Sequence, residues 1–383
     1  MPKFYEFFAG AGMARTGLGE AWQCIFANEW DVKKSAIYRN HWKAPDVLKV
    51  SDVETLTTQD LPGVADLVWA SFPCQDLSLA GAGGGLKGDR SGTFWPFWRL
   101  MQSLIEEDRA PKLIILENVC GTLTSHEGKD FAAICETFVE AGYFFGALIM
   151  DAVHFVPQSR PRLFVIGVRD DIALTSQNIT TDTPSLLWHP RSLLNAFDNL
   201  SVRAKDKWLW WNPAAPELRT STFADVIEDN PGGVEWHTAA ETAKLLEMMS
   251  PLNREKVNQA QISGHRIVGA VYKRTRRDEV GRRIQRAEIR FDDIAGCLRT
   301  PAGGSSRQVI VIVDGESVRS RLISPRETAR LMGLPDNYEL PTKYNEAYHL
   351  TGDGVAVPVV RHLAQHIFEP LLIGCRQHSR IAA

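Results

Sequence analysis

The chain has 383 residues, 44% of them hydrophobic and 23% charged, with a formal net charge of −3. That is room for two domains, or for one large domain with an insert, in a composition ordinary for a globular protein. No apolar run reaches the roughly 18 residues of a spanning helix, and the six cysteines (24, 74, 120, 135, 297, 375) never pair as CxxC, so neither a membrane partner nor a disulfide framework or zinc site is expected.

Met1–Tyr5 lacks the layout of a signal peptide. A reducing, cytoplasmic setting is therefore expected. The first half of the chain alternates short apolar runs with helix-length stretches. Strands are predicted at Phe4–Phe8, Cys24–Ala27, Asp66–Ala70, Lys112–Leu116, Phe144–Met150 and Leu163–Val168, with a further one at Val47–Val50. Runs of this length between helical stretches predict an α/β fold, with a mostly parallel sheet covered by helices on both faces. In such sheets ligands bind beyond the carboxyl ends of the strands. Gly10, Gly12, Glu29, Cys74, Glu117 and Asn118 all fall there.

The first strand runs into "FAGAG" (Phe8–Gly12). A glycine turn between strand and helix lets backbone approach a ligand closely. A bare GxG is equally a tight turn with no ligand. The second strand favours a ligand: it ends in "NEWD", with Glu29 17 residues after Gly12. An acid there is the usual partner of ribose hydroxyls. Trp30 can stack on an adenine ring, and Asp52 can meet its exocyclic amine. An adenosine-containing cofactor is implied, with its identity open.

"ASFPCQDLS" (Ala70–Ser78) sets Cys74 at the end of an apolar run. Isolated thiols are most often buried and inert. This one borders "AGAGGGLKGDRSG" (Ala80–Gly92), in which six of 13 residues are glycine. Such a loop can close over a substrate and exclude water. A helix N-terminus or a cation nearby would lower the thiol's pKa. Glu117 ends the apolar run of "ILENVCG", where a carboxylate is either capped by backbone donors or used. Arg160 and Arg162, in "PQSRPRLFVIGV", either pair with surface carboxylates or hold a substrate oxygen.

After about Asp182 the alternation breaks up, and Trp188, Trp208, Trp210, Trp211 and Trp236 appear among prolines and glycines. Residues 1–182 are read as one domain, 183–324 as a second, smaller one, and 325–383 as a return to the first, ending in a helix near Val355–Leu372. Within the second, Arg266–Arg290 carries nine Lys/Arg against three acids, an excess of six. That segment is either a solvated, charged hairpin or a track for phosphates.

"FFAGAGMARTGLG", "NEW", "SFPCQDLSLAG", "ENV", "QSRPR" and "RLISPRETARLMGLPD", in that order, resemble the successive motifs of the DNA (cytosine-5) methyltransferases. The resemblance covers Phe4 to about Val360 apart from the middle domain. It implies a Rossmann-like class I methyltransferase sheet with a smaller inserted target-recognition domain. It also implies S-adenosyl-L-methionine as cofactor, double-stranded DNA as substrate, and a cytosine flipped out of the duplex. Cys74 would attack carbon 6 of that ring. Glu117 would hold ring nitrogen 3 and the exocyclic amine, Arg162 the carbonyl oxygen, and Arg160 belongs to the same catalytic motif. The matched cofactor residues are Phe8, Ala9, Gly10, Gly12, Glu29, Trp30, Asp52 and Pro73. Gln75, Ser78, Arg299, Gly303, Gly304, Ser305 and Arg307 are expected to contact DNA. No metal is implied. A restriction endonuclease acting on the same site is an expected genetic partner, and DNA binding would place the protein at the nucleoid.

The late motif departs from the family: "TGDGVAVPV" has Asp353 where asparagine is usual. An ionised aspartate accepts hydrogen bonds and donates none. The rival readings are a tRNA cytosine-5 methyltransferase, which the long middle segment disfavours, a non-catalytic DNA-binding relative, which the retained Cys74, Glu117 and Arg162 disfavour, and a nicotinamide-dependent dehydrogenase, which the missing GxGxxG disfavours.

Overall fold

The computed structural model describes residues 1–73, 91–174, 179–300 and 307–374. The chain divides into two compact units. One comprises residues 1–151, 161–216 and 357 onward, and the other residues 152–160 and 217–356.

The first unit is built on a seven-stranded sheet in the order β3-β2-β1-β4-β5-β7-β6. Its strands are β1 (Lys3–Phe7), β2 (Gln23–Glu29), β3 (Leu48–Val50), β4 (Leu67–Ala70), β5 (Leu113–Val119), β6 (Tyr143–Asp151) and β7 (Pro161–Arg169). All lie close to the apolar runs read from the sequence. β1 to β5 pair in parallel, and β7 enters antiparallel between β5 and β6. β4 is buried along its whole length, as expected for a strand covered on both faces. The helices Phe94–Glu106 and Lys129–Glu140 lay their apolar sides on the sheet, burying Phe94, Phe97, Trp98, Phe131 and Phe138. A short strand pair, β8 (Thr180–Thr181) and β9 (Trp210–Trp211), completes the unit.

The chain closes this unit with the helix Val357–Leu363, which carries Pro358 in its first turn, where a missing N–H costs nothing. A π-helical segment, Ala364–Phe368, and further helical turns to residue 374 continue it. It packs on the helix Met13–Leu18 so closely that a Cβ on Gly17 would lie 2.4 Å from the Val360 Cβ. Arg361 bonds the Leu18 carbonyl and Glu369, and Glu369 also accepts from the Trp22 indole.

The second unit holds a four-stranded antiparallel sheet in the order β11-β10-β12-β13. Its strands are β10 (Ile267–Arg277), β11 (Arg283–Arg290), β12 (Val309–Asp314) and β13 (Ser317–Leu322). Helices Ala239–Glu247 and Pro251–Ile262 share a core with it, centred on Leu245, Val257, Val271, Ile289 and Val311. Arg321, fully buried, makes a two-pronged pair with Glu327 at 2.8 and 2.6 Å. Glu327 also closes the capping box that starts the helix Pro325–Leu331. The helix therefore begins where its capping residues stand. No helix among the described residues is long and apolar enough to cross a membrane.

Candidate active site

The parallel strands deliver their carboxyl ends to one edge of the seven-stranded sheet, and the predicted cofactor residues gather there. At the exit of β1 the backbone takes positive φ at Phe8 (56°), Gly10 (57°) and Gly12 (82°). For Phe8 that conformation is rare and strained. Gly12 caps the helix Met13–Leu18, and a Cβ there would lie 2.4 Å from Trp42 Nε1 and 2.9 Å from the Tyr38 ring. Gly10 instead has nothing among the described residues within 4 Å of where a Cβ would stand. Its amide donates to Glu29 Oε2 at 2.7 Å.

Glu29 ends β2 and is buried. Its Oε1 accepts the amides of Trp30 (3.0 Å) and Asp31 (2.8 Å). Of the roughly four acceptor positions on a carboxylate, backbone amides occupy three, which fixes the side chain and leaves one. The Trp30 ring beside it is 70% exposed, unusual for a tryptophan and suited to stacking. Asp52, past β3, is exposed and caps the turn Val53–Thr55 by accepting the Glu54 amide. Ala9 is buried and Pro73 half-buried.

Beyond β4, Glu117 lies near the end of β5 with its side chain only 9% exposed, and Oε1 lies 3.2 Å from Arg162 Nε. Antiparallel pairing sets Phe164 opposite Glu117 and Arg162 opposite Val119, so Glu117 and Arg162 are diagonal neighbours on one face. Asn118 points elsewhere. Its Nδ2 donates to the Phe72 carbonyl, and its Oδ1 accepts the Val119 amide. The side chain thus ties the exit of β4, just before Pro73, to the exit of β5.

Arg160 has different surroundings. It is 2% exposed, and its guanidinium donates to the carbonyls of Leu298 (3.0 Å), Gly352 (2.8 Å) and Gly354 (2.6 Å), all within the second unit. In that unit Asp353 accepts a hydrogen bond from the Thr300 hydroxyl, the role open to an aspartate where asparagine is usual. Arg299 is exposed, and Arg307 bonds Asn345 and lies over the Tyr344 ring. Cys74, Gln75, Ser78, Gly303, Gly304 and Ser305 lie outside the described residues.

Burial pushes the Cys24 thiol up to about 12 and the Cys120 thiol up to about 11, and holds Cys135 well above its ordinary value. These three are poor nucleophiles near neutral pH. A residue missed from the sequence is Glu6, on β1, buried with pKa pushed up to about 7 by loss of solvation. It accepts from the Arg15 amide (3.2 Å) and the Tyr38 hydroxyl (3.3 Å), behind the glycine turn. It was hidden because "FYEFF" reads as an apolar strand; its single charge within such a run was the available signal.

A parallel-dominated sheet with a glycine turn after β1, an anchored acid after β2 and a buried acid–arginine pair at the same edge has the layout of an α/β enzyme whose ligands lie beyond the strand ends. The chain belongs to the C-5 cytosine-specific DNA methylase family, whose model matches residues 2–369. It is 25% identical over 373 residues to the type II methyltransferase M.BsuFI of Bacillus subtilis, covering 97% of this chain and 73% of that protein. Against the type II methyltransferase M.HhaI of Haemophilus parahaemolyticus it is 25% identical over 371 residues, 95% and 94% of the two chains. Its fold is shared with the crystal structure of S. pombe Dnmt2 methyltransferase (TM-score 0.59, 17% identity, 97% and 99% coverage) and with Entamoeba histolytica methyltransferase EhMeth (TM-score 0.60, 15% identity, 97% and 99%). The protein is a DNA (cytosine-5) methyltransferase by family.

Proposed function

We propose that this chain is a sequence-specific methyltransferase of restriction–modification type that methylates carbon 5 of a cytosine flipped out of duplex DNA. The observation that carries this reading is the buried Glu117–Arg162 pair at the sheet edge where Glu29 is anchored. S-adenosyl-L-methionine fits that edge: Glu29 retains an acceptor position for a ribose hydroxyl, Trp30 offers an exposed ring, and Gly10 leaves open space for a ligand. Phe8, Ala9, Gly12, Asp52 and Pro73 belong to the same cradle. Bound there, S-adenosyl-L-methionine supplies the methyl group.

The protein's own residues do the rest. Carbon 5 of cytosine is a poor nucleophile, and a neighbouring covalent bond makes it an enamine carbon. Cys74 is assigned to form that bond: its thiolate adds to carbon 6, and it leaves again once carbon 5 has lost its proton. The raised thiols of Cys24, Cys120 and Cys135 disfavour those three, and the choice of Cys74 rests on its place in the "PCQ" motif. Glu117 holds ring nitrogen 3 and the exocyclic amine while charge builds, and Arg162 orients Glu117 and holds the ring carbonyl. Arg160 is assigned a positioning role, because carbonyls of its own unit engage its guanidinium. Residues 1–182 are expected from the sequence to carry the chemistry, 183–324 the choice of site and 325–383 the return to the catalytic unit. The compact units divide elsewhere, with 183–216 in the unit of the seven-stranded sheet and 325–356 in that of the four-stranded sheet, so the choice of site is assigned to residues 217–356. Gln75, Ser78, Arg299, Gly303, Gly304, Ser305 and Arg307 are assigned to the DNA. A cognate endonuclease is expected from the type II names of the relatives.

Bisulfite sequencing of DNA from cells expressing the chain tests activity, base and site together. One sequence context should resist conversion at cytosine. Duplex containing 5-fluorocytosine should trap a covalent adduct that Cys74→Ser abolishes. Methyl transfer to tRNA and not to duplex DNA would overturn the reading.

A further inference from the structure

The core of the four-stranded sheet stops partway along β10. Strand β12 pairs with β10 only as far as Val271, and on the other flank β11 meets Met249 only at Ala287. Beyond that level β10 and β11 continue alone, in register to Arg277 and Arg283. Tyr272 still bonds the Cys297 carbonyl, and from Lys273 to Arg277 the ribbon spans roughly 14 Å at strand rise. Arg274, Thr275, Arg276, Arg277, Arg283 and Gln285 are all exposed, so both faces of this ribbon meet solvent. A two-stranded ribbon without a buried face is marginal by itself.

Its charge makes that worse. Residues 273–286 carry seven Lys/Arg and two acids, a net +5 in a chain whose total is −3. The register sets Arg274 directly opposite Arg286 and Arg277 directly opposite Arg283. Like charges facing each other across a ladder are destabilising. Some of the charge is matched: Glu288 pairs with Arg274 and Arg276, and Asp278 pairs with Arg282. Arg283 and Arg286 form no ion pair among the described residues. The tip is nevertheless ordered. Asp278 accepts the amides of Val280 and Arg282, its own amide donates to the Arg282 carbonyl, and Gly281 takes the positive φ (83°) that the turn needs.

A preformed, two-sided, arginine-rich ribbon has the shape of an element that enters the major groove of a duplex, which is about 12 Å wide, admits a two-stranded ribbon and carries phosphates along both walls. We propose that the β10–β11 ribbon is a phosphate clamp that inserts into a groove of double-stranded DNA, with Arg283 and Arg286 bonding phosphates. This rests on the function proposed above and deepens it. The opposed arginines repel in the free protein, and the DNA polyanion relieves that repulsion on binding. The same arginines therefore act with opposite sign on stability and on DNA affinity.

The test measures binding of a fluorescein-labelled, mixed-sequence duplex, several helical turns long, to the full chain and to Arg283→Gln/Arg286→Gln over a salt series. Thermal unfolding of both proteins is recorded without DNA. The slope of log affinity against log salt should fall by about 2 in the double variant, one for each phosphate that is no longer neutralised. Binding near physiological salt should weaken about tenfold or more, to the same extent whatever the duplex sequence. The melting temperature without DNA should equal or exceed the parent's. An unchanged salt slope overturns the proposal. So does a weakening confined to one sequence, since phosphates carry none. A melting temperature well below the parent's also overturns it, because the arginines would then be holding the fold. Methyl transfer by the unaltered chain separates the two levels: if it methylates duplex DNA and the slope does not move, the ribbon assignment alone fails.

Discussion

The two sheets handle charge in opposite ways. At the edge of the seven-stranded sheet, Glu29 is buried and anchored by three backbone amides, and Glu117 is buried against Arg162. On the four-stranded sheet, Arg277 and Arg283 face each other in solvent. In the first case the fold has already oriented the charged group, so little reorganisation would remain for the proposed chemistry on a bound base. In the second the repulsion is left in place until a polyanion arrives. Chemistry favours the first arrangement and capture of a long, charged substrate the second. The difference predicts where substitutions cost turnover, where they cost stability and where salt matters.

The largest expected effect is on turnover. Glu117→Gln keeps the shape of the side chain and removes its charge, leaving Arg162 without its carboxylate. Single-turnover methyl transfer should fall by about 10²–10⁴-fold, the usual scale for a lost proton-handling group. The circular dichroism spectrum should stay that of the parent. A rate within tenfold of the parent's would remove Glu117 from the chemistry and with it the contrast between the two sheets.

Next comes stability. Loss of solvation raises the pKa of Glu6 from an ordinary 4.5 to about 7. The folded state therefore holds its proton more tightly than the unfolded state does. The stability linked to that proton is fully present below about pH 4.5 and is lost as pH rises through about 7. Glu6→Gln cannot titrate. The difference in unfolding free energy between variant and parent should shift in the variant's favour by up to about 3 kcal/mol from pH 4.5 to pH 7. Urea unfolding at several pH values measures it, and a difference that stays constant with pH would show that Glu6 is ionised throughout. His189 and His362, both pulled down to about 4 by burial, bend the parent's own curve the other way, destabilising it as pH falls from 6.5. They cancel in the comparison.

Glu6 also marks the limit of what the sequence discloses. The strands of the seven-stranded sheet were legible because burial on both faces makes them continuous apolar runs, as in "LVWA" and "LIILENV". Glu29 and Glu117 were legible because they stand at the ends of such runs. The insertion of β7 between β5 and β6 was not, since strand order is decided by packing that no local pattern records. β10 lacks the alternation of a half-buried strand because "VGAV" is buried throughout and the arginines of "KRTRR" are solvated on both sides. Arg160 and Arg162, two residues apart in an extended segment, look equivalent in sequence. Arg160 is tied to the carbonyls of Leu298, Gly352 and Gly354, and Arg162 meets Glu117.

A smaller effect separates two glycines of the turn after β1. Gly12→Ala forces a Cβ against Trp42 at positive φ and should cost about 1–3 kcal/mol of folding stability. Gly10→Ala has the same φ penalty, about 1 kcal/mol, with no clash among the described residues. Its Cβ instead projects into the open space assigned to the cofactor. Calorimetry should find S-adenosyl-L-methionine affinity lowered in Gly10→Ala beyond what its stability loss explains. Equal affinity for the parent and Gly10→Ala would move the cofactor away from this turn.

The smallest effect isolates the electrostatics of the ribbon without DNA. Arg283→Gln removes one partner of the Arg277–Arg283 pair at the tip. At low ionic strength the variant should be more stable than the parent by about 0.2–1 kcal/mol, the scale of one cross-strand pair. Raising salt should erase that gain, because at about 1 M the screening length falls to roughly 3 Å, shorter than the gap between opposed side chains. The buried Glu117–Arg162 contact is screened far less. Its contribution, read from Arg162→Ala against the parent, should change little over the same salt series. Low-salt destabilisation by Arg283→Gln would mean that the arginines support each other through interactions other than charge, and the opposition between the two sheets would be lost.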